Sequence, residues 1–391
     1  MINIGFFLGE NDEHWNGGIN YYNNLFLILK NSGIYKPIVF TSKKSRKTFE
    51  KKLLDNVEIK ECNFMTSGTI SFYLWKIVFY YFHYSLFVDR LTKKHNIKFV
   101  SHSSRIPMNV NSKINSCPWI PDLQFLHYPE FFNKITNKRL AYIFKFIGKT
   151  ATTLLFSSDD SKNDYCLLDP QINRNKLKTF HFVVRPNSQL PNISDDILTK
   201  YNVEKYKYFI VTNQFWKHKN HIIVVEAINE LLKNYHNLPY KFIFTGLLDD
   251  PRDPLVSTTI KDKIKEYKLN AYIQLTDAIP YFDVISLQKY SIAVIQPSLF
   301  EGWNTAVEEC KNVGKKIILS NIEVHKEQNP ENVIFFDPKN SYELAEIINK
   351  VYNSFNLDVE SDYYRKAIEK QECNWTSFSE EYLKLIQDNI K

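Results

Sequence analysis

Two glutamates eight residues apart, Glu301 and Glu309, are the side chains of this sequence whose spacing best suits a chemical role. Glu301 stands in a polar loop after an apolar run at 292–295, which is typical of a buried strand. Apolar residues then recur at helical spacing as far as Gly314, which predicts a helix that begins near residue 305 and ends at this glycine. The two carboxylates are too far apart in the chain to share a proton. They could instead bind the two ends of one polyhydroxylated ligand.

The loop between the strand and the helix is expected to bind an anion. A second apolar run at 317–319 completes a strand–loop–helix–strand unit of a parallel sheet. In such units ligands bind beyond the carboxyl ends of the strands, where the loop enters the helix. Asn304 and Thr305 occupy that point, where free backbone N–H groups and the helix dipole would face a phosphate. The alternative is that both glutamates are solvated acids on an ordinary surface helix.

The same segment resembles the donor site of glycosyltransferase family four. The similarity rests on Pro-Ser-Leu-Phe-Glu-Gly at 297–302, on the position of Glu309 after Glu301, and on Phe-Asp-Pro at 336–338. The resemblance implies an α/β protein of the GT-B fold, with two Rossmann-like domains facing across a cleft and a C-terminal helix that crosses back to the first domain. It also implies that Glu301 contacts the donor sugar and Glu309 the ribose hydroxyls. Gly302-Trp303-Asn304 replaces the family's usual Gly-Phe-Gly beside the sugar.

A basic segment at a second strand–helix junction is expected to meet the diphosphate of the donor. It follows an apolar run at 208–212, and its Lys219-Asn220 match the lysine of a family pattern that begins with Gly-Arg. Asn213-Gln214 replace that Gly-Arg pair, so one of the two usual phosphate-binding cations is missing, and Lys217 or His218 would have to compensate. Gly246 matches a family glycine after the next strand. A solvated run of charges is the alternative interpretation of this segment.

In the first half of the chain, His127 and the pair Gly17-Gly18 are predicted to line the cleft. His127 lies in Trp-Ile-Pro-Asp…His…Pro-Glu-Phe-Phe at 119–132, which resembles bacterial polysaccharide glycosyltransferases of the family and implies a histidine near the transferred sugar. Ser158, Lys162 and Asp164 match a further family element. The glycine pair follows the first strand, where the family has a glycine-rich loop. An isolated structural histidine and a tight turn without ligand are the alternatives.

Composition limits the other possibilities. The 391 residues allow two domains, predicted at 1–190 and 191–373 with a linker at 183–206 and a crossover helix at 374–391. The net charge of +7 without a basic stripe gives no support for nucleic acid as a partner. The G-x-G-x-x-G fingerprint of NAD enzymes is absent, and so is Asp-x-Asp, so we expect neither a cofactor nor a metal. Five cysteines without C-x-x-C spacing suggest reduced thiols in a cytoplasmic protein.

An aromatic segment at 72–87 has two interpretations. It is either a helix buried under the sheet or an interfacial helix, because Trp and Tyr favour the headgroup region of a bilayer. Trp75 and Tyr80 would make the contact in the second case. No window is apolar enough to span a membrane. The second interpretation predicts peripheral association with the inner membrane leaflet through the first domain.

The sequence therefore predicts a retaining, metal-independent glycosyltransferase. It would move a hexose from a nucleoside diphosphate sugar to a saccharide acceptor, which we expect to be lipid-linked, in bacterial surface polysaccharide synthesis. One alternative is a non-catalytic GT-B protein that binds a sugar nucleotide or acts as a scaffold. The other is a GT-B sugar-nucleotide epimerase.

Overall fold

The chain forms two compact units in a computed structural model. The structure describes residues 1–10, 16–55, 57–82, 85–103, 106, 108, 112–186, 196–248, 250 and 253–390. The first unit comprises 1–182 and 376–391, and the second comprises 183–375. The sequence predicts domain boundaries after residues 190 and 373. In the structure, the two units divide after residues 182 and 375. Residues 11–15 of the predicted cleft loop, 187–195 of the predicted linker and 83–84 of the aromatic segment lie outside the described residues.

The first unit contains two parallel sheets. The larger has the strand order β3-β2-β1-β4-β5 and the smaller the order β6-β7-β8. The strands of both sheets are β1 (Ile2–Phe7), β2 (Tyr35–Thr41), β3 (Glu58–Glu61), β4 (Ile97–Ser101), β5 (Asn115–Cys117), β6 (Trp119–Ile120), β7 (Leu154–Phe156) and β8 (Leu177–Thr179). Pro118 separates β5 from β6, and because proline has no N–H it interrupts the ladder at the point where the chain leaves one sheet for the other.

Seven helices of the described first unit connect these strands. They are α1 (Asn16–Ser32), α2 (Arg46–Lys52), α3 (Ile70–Phe82), α4 (Leu86–Lys94), α5 (Gln124–His127), α6 (Lys134–Thr150) and α7 (Asp159–Leu168). Helix α7 begins as its sequence indicates, because the Ser158 side chain accepts a hydrogen bond from the Ser161 N–H. Helix α1 begins earlier than expected. Gly17 and Gly18 lie in its first turn and neither has a positive φ, so the expectation of a glycine loop or tight turn at this pair is wrong.

A buried polar chain joins the C-terminal residues to the core of the first unit. The His102 ring contacts Tyr21 Oη at 2.8 Å and Ser101 Oγ at 2.7 Å, and Ser101 Oγ lies 3.1 Å from Tyr382 Oη. Burial lowers the pKa of His102 to about 3. A neutral ring can donate from one nitrogen and accept at the other, so both of its hydrogen-bonding atoms are satisfied. The return of the C-terminal helix to the first domain, expected from the sequence, is present in the structure.

The second unit is built on one six-stranded parallel sheet. Its order, β11-β10-β9-β12-β13-β14, is the strand order 3-2-1-4-5-6 of a Rossmann fold. The strands are β9 (Tyr208–Thr212), β10 (Lys241–Thr245), β11 (Ile273–Thr276), β12 (Val294–Gln296), β13 (Ile317–Ser320) and β14 (Val333–Phe336). Both faces of the sheet are buried, as a near-continuous apolar strand requires. Phe209 and Val211 pack into one core, and Tyr208 and Ile210 into the other.

Helices cover both faces of this sheet. The helices that follow residue 195 are α8 (Asp196–Lys200), α9 (His221–Tyr235), α10 (Val256–Glu266), α11 (Tyr281–Tyr290), α12 (Thr305–Asn312), α13 (Glu323–Gln328), α14 (Ser341–Asn353) and α15 (Leu357–Asn389), of which α15 belongs to the first unit from residue 376 onwards. Gly314 follows α12 with φ +57°, and a Cβ there would lie 2.2 Å from the Tyr363 carbonyl oxygen of α15. Only glycine fits both constraints, which explains why the helix ends where the sequence predicts.

Within the described residues, no helix is long and apolar enough to cross a membrane.

Candidate active site

The candidate site lies where the strand order of the second sheet reverses. Strands β9 and β12 are neighbours in the sheet, although more than eighty residues separate them in the chain. The loop after β9 carries Asn213 to Asn220, and the loop after β12 carries Pro297 to Asn304. In open parallel sheets this reversal opens a crevice at the carboxyl ends of the strands, and ligands bind there. The two segments singled out in the sequence therefore meet at one place.

Glu301 and Lys219 form a shielded ion pair between these loops. Lys219 Nζ lies 2.6 Å from Glu301 Oε1, and the two side chains are 14% and 7% exposed. Ser298 Oγ donates a second hydrogen bond of 2.6 Å to the same oxygen. No hydrogen bond to Glu301 Oε2 occurs among the described residues, so this oxygen remains available to a ligand hydroxyl. The pair joins the two loops, and the lysine charge is already shared with a carboxylate.

Asn304 caps helix α12 and is itself almost completely buried. Its side-chain Oδ1 accepts from the Ala306 N–H at 3.0 Å, and its backbone N–H donates to Gln328 Oε1 at 3.1 Å. The Gln328 amide returns a 3.0 Å hydrogen bond to the Asn304 carbonyl oxygen. The expectation that the Asn304 N–H faces a phosphate is therefore wrong, because that donor is occupied. The next N–H, of Thr305, has no hydrogen-bond partner among the described residues, and the Thr305 side chain is half-buried.

His325 fixes the orientation of the Asn304 amide. The ring is fully buried, and its Nδ1 lies 2.9 Å from the Ser320 carbonyl oxygen, which can only accept. The proton is thus on Nδ1, and Nε2 accepts from Asn304 Nδ2 at 3.2 Å. Burial lowers the pKa of His325 to about 4, which keeps the ring neutral and this arrangement intact at physiological pH.

A row of buried amides connects Asn304 to Glu309. Asn304 Nδ2 lies 3.4 Å from Gln296 Oε1, and the Gln296 amide nitrogen donates to Thr212 Oγ1 at 3.1 Å. Gln288 Nε2 lies 3.1 Å from the same hydroxyl oxygen and 3.2 Å from Glu309 Oε2. Asn304 Nδ2 also lies 3.3 Å from Glu301 Oε1, so the side chains from Glu301 to Glu309 form one series of polar contacts that holds the two glutamates in a fixed relation.

Glu309 is a buried carboxyl group with a single neutral donor. Burial raises its pKa to about 7, although the Gln288 hydrogen bond acts in the opposite direction. Near neutral pH the group therefore exists in both protonation states. A ligand that supplies hydroxyl donors would favour the carboxylate. Perturbed acids at the carboxyl edge of a parallel sheet are typical of functional sites.

Two residues hold the loops of the site in position. Asn220, in the left-handed region with φ +54°, donates from its amide to the carbonyl oxygens of Pro297 and Pro338. It thereby ties together the loops that follow β9, β12 and β14. Gly246 has φ +151°, and a Cβ there would lie 2.1 Å from the Asn213 carbonyl oxygen. This glycine allows the backbone after β10 to pass directly against the loop after β9.

Other residues predicted to bind the donor have different positions. Asn213 is buried and donates from its amide to Gln296 Oε1 at 2.6 Å. Lys217 is exposed and lies 3.2 Å from Asp253, whereas His218 is buried, so the expectation that either replaces the missing arginine finds no support in their geometry. Gly302 is buried and Trp303 half-buried, next to Glu301 in the loop.

In the first unit, His127 is joined to the matching family element. His127 Nε2 lies 2.7 Å from Asp164 Oδ2, and the imidazole is 44% exposed whereas the carboxylate is buried. Asp164 lies on α7 and His127 at the end of α5. Burial raises the pKa of Asp164, and the contact with His127 opposes this shift. The carboxylate therefore orients an accessible imidazole, as in many sites where histidine contacts a substrate.

Sequence reasoning missed Gln288, Gln296, Gln328 and His325. Gln296 could have been noticed as a polar residue that ends an apolar strand. The others lie inside helices α11 and α13, where a single glutamine or histidine has no distinctive spacing. Among the described residues, no group of three or more His, Cys, Asp or Glu side chains is arranged to hold a metal ion.

The fold and the site define an α/β protein with two parallel-sheet units and a polar site at the strand reversal of the second. Residues 194–370 match the family model described as Glycosyl transferases group 1. No curated protein gives a significant match. The matched segment covers most of the second unit and includes Lys219, Glu301 and Glu309.

Solved structures resemble the whole chain. A glycosyltransferase from Rickettsia africae is 18% identical, with a TM-score of 0.72 over 99% of this chain and 98% of that chain. HepE of Anabaena, solved with UDP and glucose, is 13% identical, with a TM-score of 0.73 over 99% and 100%. WaaG, a glycosyltransferase involved in lipopolysaccharide biosynthesis, is 13% identical, with a TM-score of 0.67 over 98% and 99%. The predicted GT-B fold is confirmed, and the chain is a glycosyltransferase.

Proposed function

We propose that the protein transfers a hexose from a nucleoside diphosphate sugar to a saccharide acceptor, with retention of anomeric configuration and without a metal ion. The main support is the series of buried side chains that holds Glu301 and Glu309 together beside Lys219. Glu301 would bind the hexose and Glu309 the ribose. Binding of UDP and glucose by HepE, a structural neighbour, supports this type of donor.

The chemistry required of the site is charge stabilisation. As the glycosidic bond breaks, negative charge accumulates on the departing diphosphate. Lys219, only 14% exposed, and the N–H of Thr305 at the start of α12 are the groups that would meet it. One preorganised donor of this kind is typically worth about 3–4 kcal/mol of barrier in a shielded site. Glu301 holds the ammonium group in position before the donor arrives.

His127 would act on the sugar from the first unit. Asp164 orients its ring, so that the imidazole can hydrogen-bond a hydroxyl of the transferred hexose or of the acceptor. We propose no protein nucleophile, since front-face attack by the acceptor leads to retention directly. Analysis of the product by NMR tests this proposal, because an inverted anomeric centre would contradict it.

A donor screen tests the proposed function most directly. UDP-, GDP- and dTDP-hexoses are compared by thermal shift, in which a ligand at a hundredfold excess over Kd adds about 2.7 kcal/mol of stability. Release of hexose or its transfer to an acceptor, with full activity in EDTA, is the expected result. Loss of activity that Mn²⁺ restores would contradict metal independence.

The same assay separates the two alternatives. A pure binding protein or scaffold leaves the nucleotide sugar intact. An epimerase converts it into a second nucleotide sugar without releasing the nucleoside diphosphate.

We also propose that the acceptor is lipid-linked and that the enzyme meets it at a membrane surface, in the synthesis of a bacterial surface polysaccharide. The involvement of WaaG in lipopolysaccharide biosynthesis supports this choice of acceptor class.

A further inference from the structure

Helix α3 of the first unit has an apolar face that no described part of the chain covers. Its exposed residues follow helical spacing at three, four, seven and eleven positions after the first and therefore share one face: Ile70, Tyr73, Leu74, Ile77 and Tyr81. Ile70 and Tyr81 are 81% and 78% exposed. Trp75 and Phe79, on the opposite face, are buried in the core. The expectation that Trp75 reaches a bilayer is therefore wrong, and so is the interpretation of this helix as wholly buried.

The neighbouring helix α6 has an exposed basic face. Five of its exposed residues are cations: Lys134, Lys138, Arg139, Lys145 and Lys149. No ion pair joins any of them to another described residue. Surface cations that have no ion-pair partner among the described residues can interact with an external anionic surface.

The apolar and basic faces adjoin one another. The Phe79 and Phe146 rings lie 4.8 Å apart, and the Tyr80 and Tyr142 rings 5.6 Å apart. Burial lowers the pKa of Lys76 on α3, and the positive charge of Arg139 on α6 adds to this effect. Neither helix contains Asp or Glu, so together they place six cations, Lys76 and the five of α6, beside one apolar stripe.

We propose that the exposed faces of α3 and α6, together the docking face, bind the surface of an anionic lipid bilayer. The apolar stripe of α3 would enter the boundary between headgroups and acyl chains, where tyrosine is favoured. The cations of α6 would lie among the anionic headgroups. With thirteen residues, α3 is too short to span the hydrocarbon layer and would lie parallel to it.

The charge of the docking face selects a bilayer over a second copy of the chain. A two-fold symmetric dimer through this face would bring six cations against the same six, without any acidic residue on either helix to pair with them. An anionic bilayer supplies the complementary charge. This inference rests on the proposed function in one respect only, in that a lipid-linked acceptor would be reached at the surface to which the protein docks.

Co-sedimentation with vesicles tests the proposal. We expect the protein to bind phosphatidylcholine vesicles that contain phosphatidylglycerol, and to bind pure phosphatidylcholine at least tenfold more weakly. Binding should weaken strongly when the Debye length is reduced from about 10 Å at 0.1 M salt to about 3 Å at 1 M. The vesicles contain no glycolipid, so binding is measured separately from sugar transfer. If the protein does not bind the anionic vesicles at low salt, the proposal is wrong.

Two triple variants identify the surface that binds. Tyr73→Ser with Ile77→Ser and Tyr81→Ser removes the apolar stripe, and Lys138→Gln with Arg139→Gln and Lys145→Gln removes three charges. We expect at least a tenfold loss of vesicle binding for the first variant and about a hundredfold loss for the second. All six positions are exposed, so both variants should fold.

Matched variants elsewhere serve as controls. Lys261→Gln with Lys265→Gln and Lys268→Gln removes the same charge from exposed positions of the second unit, and Leu167→Ser with Leu255→Ser and Tyr342→Ser removes three other exposed apolar side chains. These controls should bind vesicles like the unmodified chain. Equal binding by docking-face variants and controls would overturn the assignment. The assignment would also be overturned if the unmodified chain did not bind vesicles but formed a dimer, and if the apolar variant abolished that dimer. Donor hydrolysis should be unchanged in all four variants, and its absence from the unmodified chain would count against the proposed function only.

Discussion

Among single residues, Glu309 would couple binding of the proposed donor to a proton. Its carboxyl group is buried against one amide donor, and burial raises its pKa to about 7. Two ribose hydroxyls would provide the hydrogen bonds that the carboxylate lacks. Donor affinity should therefore decrease as the pH falls below 7, because the protonated acid loses its charge-assisted hydrogen bonds.

Glu309→Gln should weaken donor binding by roughly ten- to a hundredfold, because hydrogen bonds to a charged group are worth about 1.5–3 kcal/mol. The same change should stabilise the fold above pH 7. The pKa of the acid is higher in the folded than in the unfolded chain, so the stabilising effect of the neutral acid is lost as the pH rises from about 4.5 through 7. Calorimetric titration of the donor and thermal unfolding at pH 5.5 and 8 measure the two effects. Glu323→Gln, on an exposed position, is the control, and an unchanged Kd in Glu309→Gln would remove this residue from the site.

Lys219→Ala should lower kcat by about a hundredfold or more, because the ammonium group is needed most as the diphosphate departs. The change also leaves Glu301 without its cation, so some loss of stability is expected. Adding Glu301→Gln to Lys219→Ala should recover that stability and leave kcat low. Thermal unfolding together with steady-state kinetics distinguishes the roles. A variant with unchanged kcat and reduced stability would show that Lys219 belongs to a structural ion pair.

At the scale of elements, the site depends on loops that specific contacts hold close to one another. Asn220 joins three of them through its amide, and Gly246 permits the closest backbone approach. Each loop also anchors one aromatic side chain in the interior, Phe215 in the loop after β9 and Phe300 in the loop after β12. Their positions depend on these fixed points and on the buried amides behind them.

Gly246→Ala should destabilise the second unit by roughly 2–5 kcal/mol, from backbone strain and from a clash with the Asn213 carbonyl oxygen. Donor affinity should fall as well, because displacement of Asn213 disturbs its hydrogen bond to Gln296. Gly33→Ala is the matched control. Gly33 has φ +65° and nothing within 4 Å of an added Cβ, so this change introduces the strain without the clash. Denaturant unfolding of both variants gives the difference, and equal effects would contradict the predicted clash.

The elements themselves could largely be predicted from the sequence. Apolar runs predicted β9, β12 and β13 to within two residues, and Gly314 predicted the end of α12. The pairing of Lys219 with Glu301 required the strand order, since their loops are adjacent only because β9 and β12 are neighbours. The role of Gln288 could not be predicted, because one glutamine within a helix has no pattern. Apolar content also failed to show which face of α3 is buried, since that depends on its packing against α6.

For the molecule as a whole, three buried histidines should dominate the response of stability to acid. Burial lowers the pKa of His102 and His221 to about 3 and that of His325 to about 4. Each is lower than in the unfolded chain, where histidine titrates near 6.5. Below that pH the unfolded chain binds more protons than the folded one, so the stability that the neutral rings permit is lost as the pH falls from 6.5 towards 3–4. Glu309 acts in the opposite direction, because between pH 7 and 4.5 its carboxyl group is protonated in the folded chain and ionised in the unfolded chain.

For these four groups the difference near pH 5 approaches two protons, three from the histidines less one from Glu309. Stability should therefore decrease by up to about 2.7 kcal/mol per pH unit there. His102 belongs to the first unit and His221 and His325 to the second, so the two units should lose stability to different extents and can give separate unfolding transitions. Thermal unfolding followed by circular dichroism from pH 7.5 to 4.5 measures this dependence.

His221→Phe tests the contribution of a single ring. The His221 imidazole stacks on Phe215 at 4.2 Å, and no well-aligned hydrogen bond reaches either ring nitrogen from the described residues, although the nearby Asn213 backbone partly opposes the lowering of the His221 pKa by burial. A phenyl ring preserves the stacking and removes two buried polar atoms, so stability at pH 7.5 should stay the same or increase. The acid dependence of the second unit should become shallower by one proton, or about 1.4 kcal/mol per pH unit. Replacement of the exposed His236 by Phe, which removes an imidazole from the surface instead of the interior, serves as the control. An unaltered slope in His221→Phe would mean that this ring is protonated alike in the folded and unfolded chain, contrary to its burial.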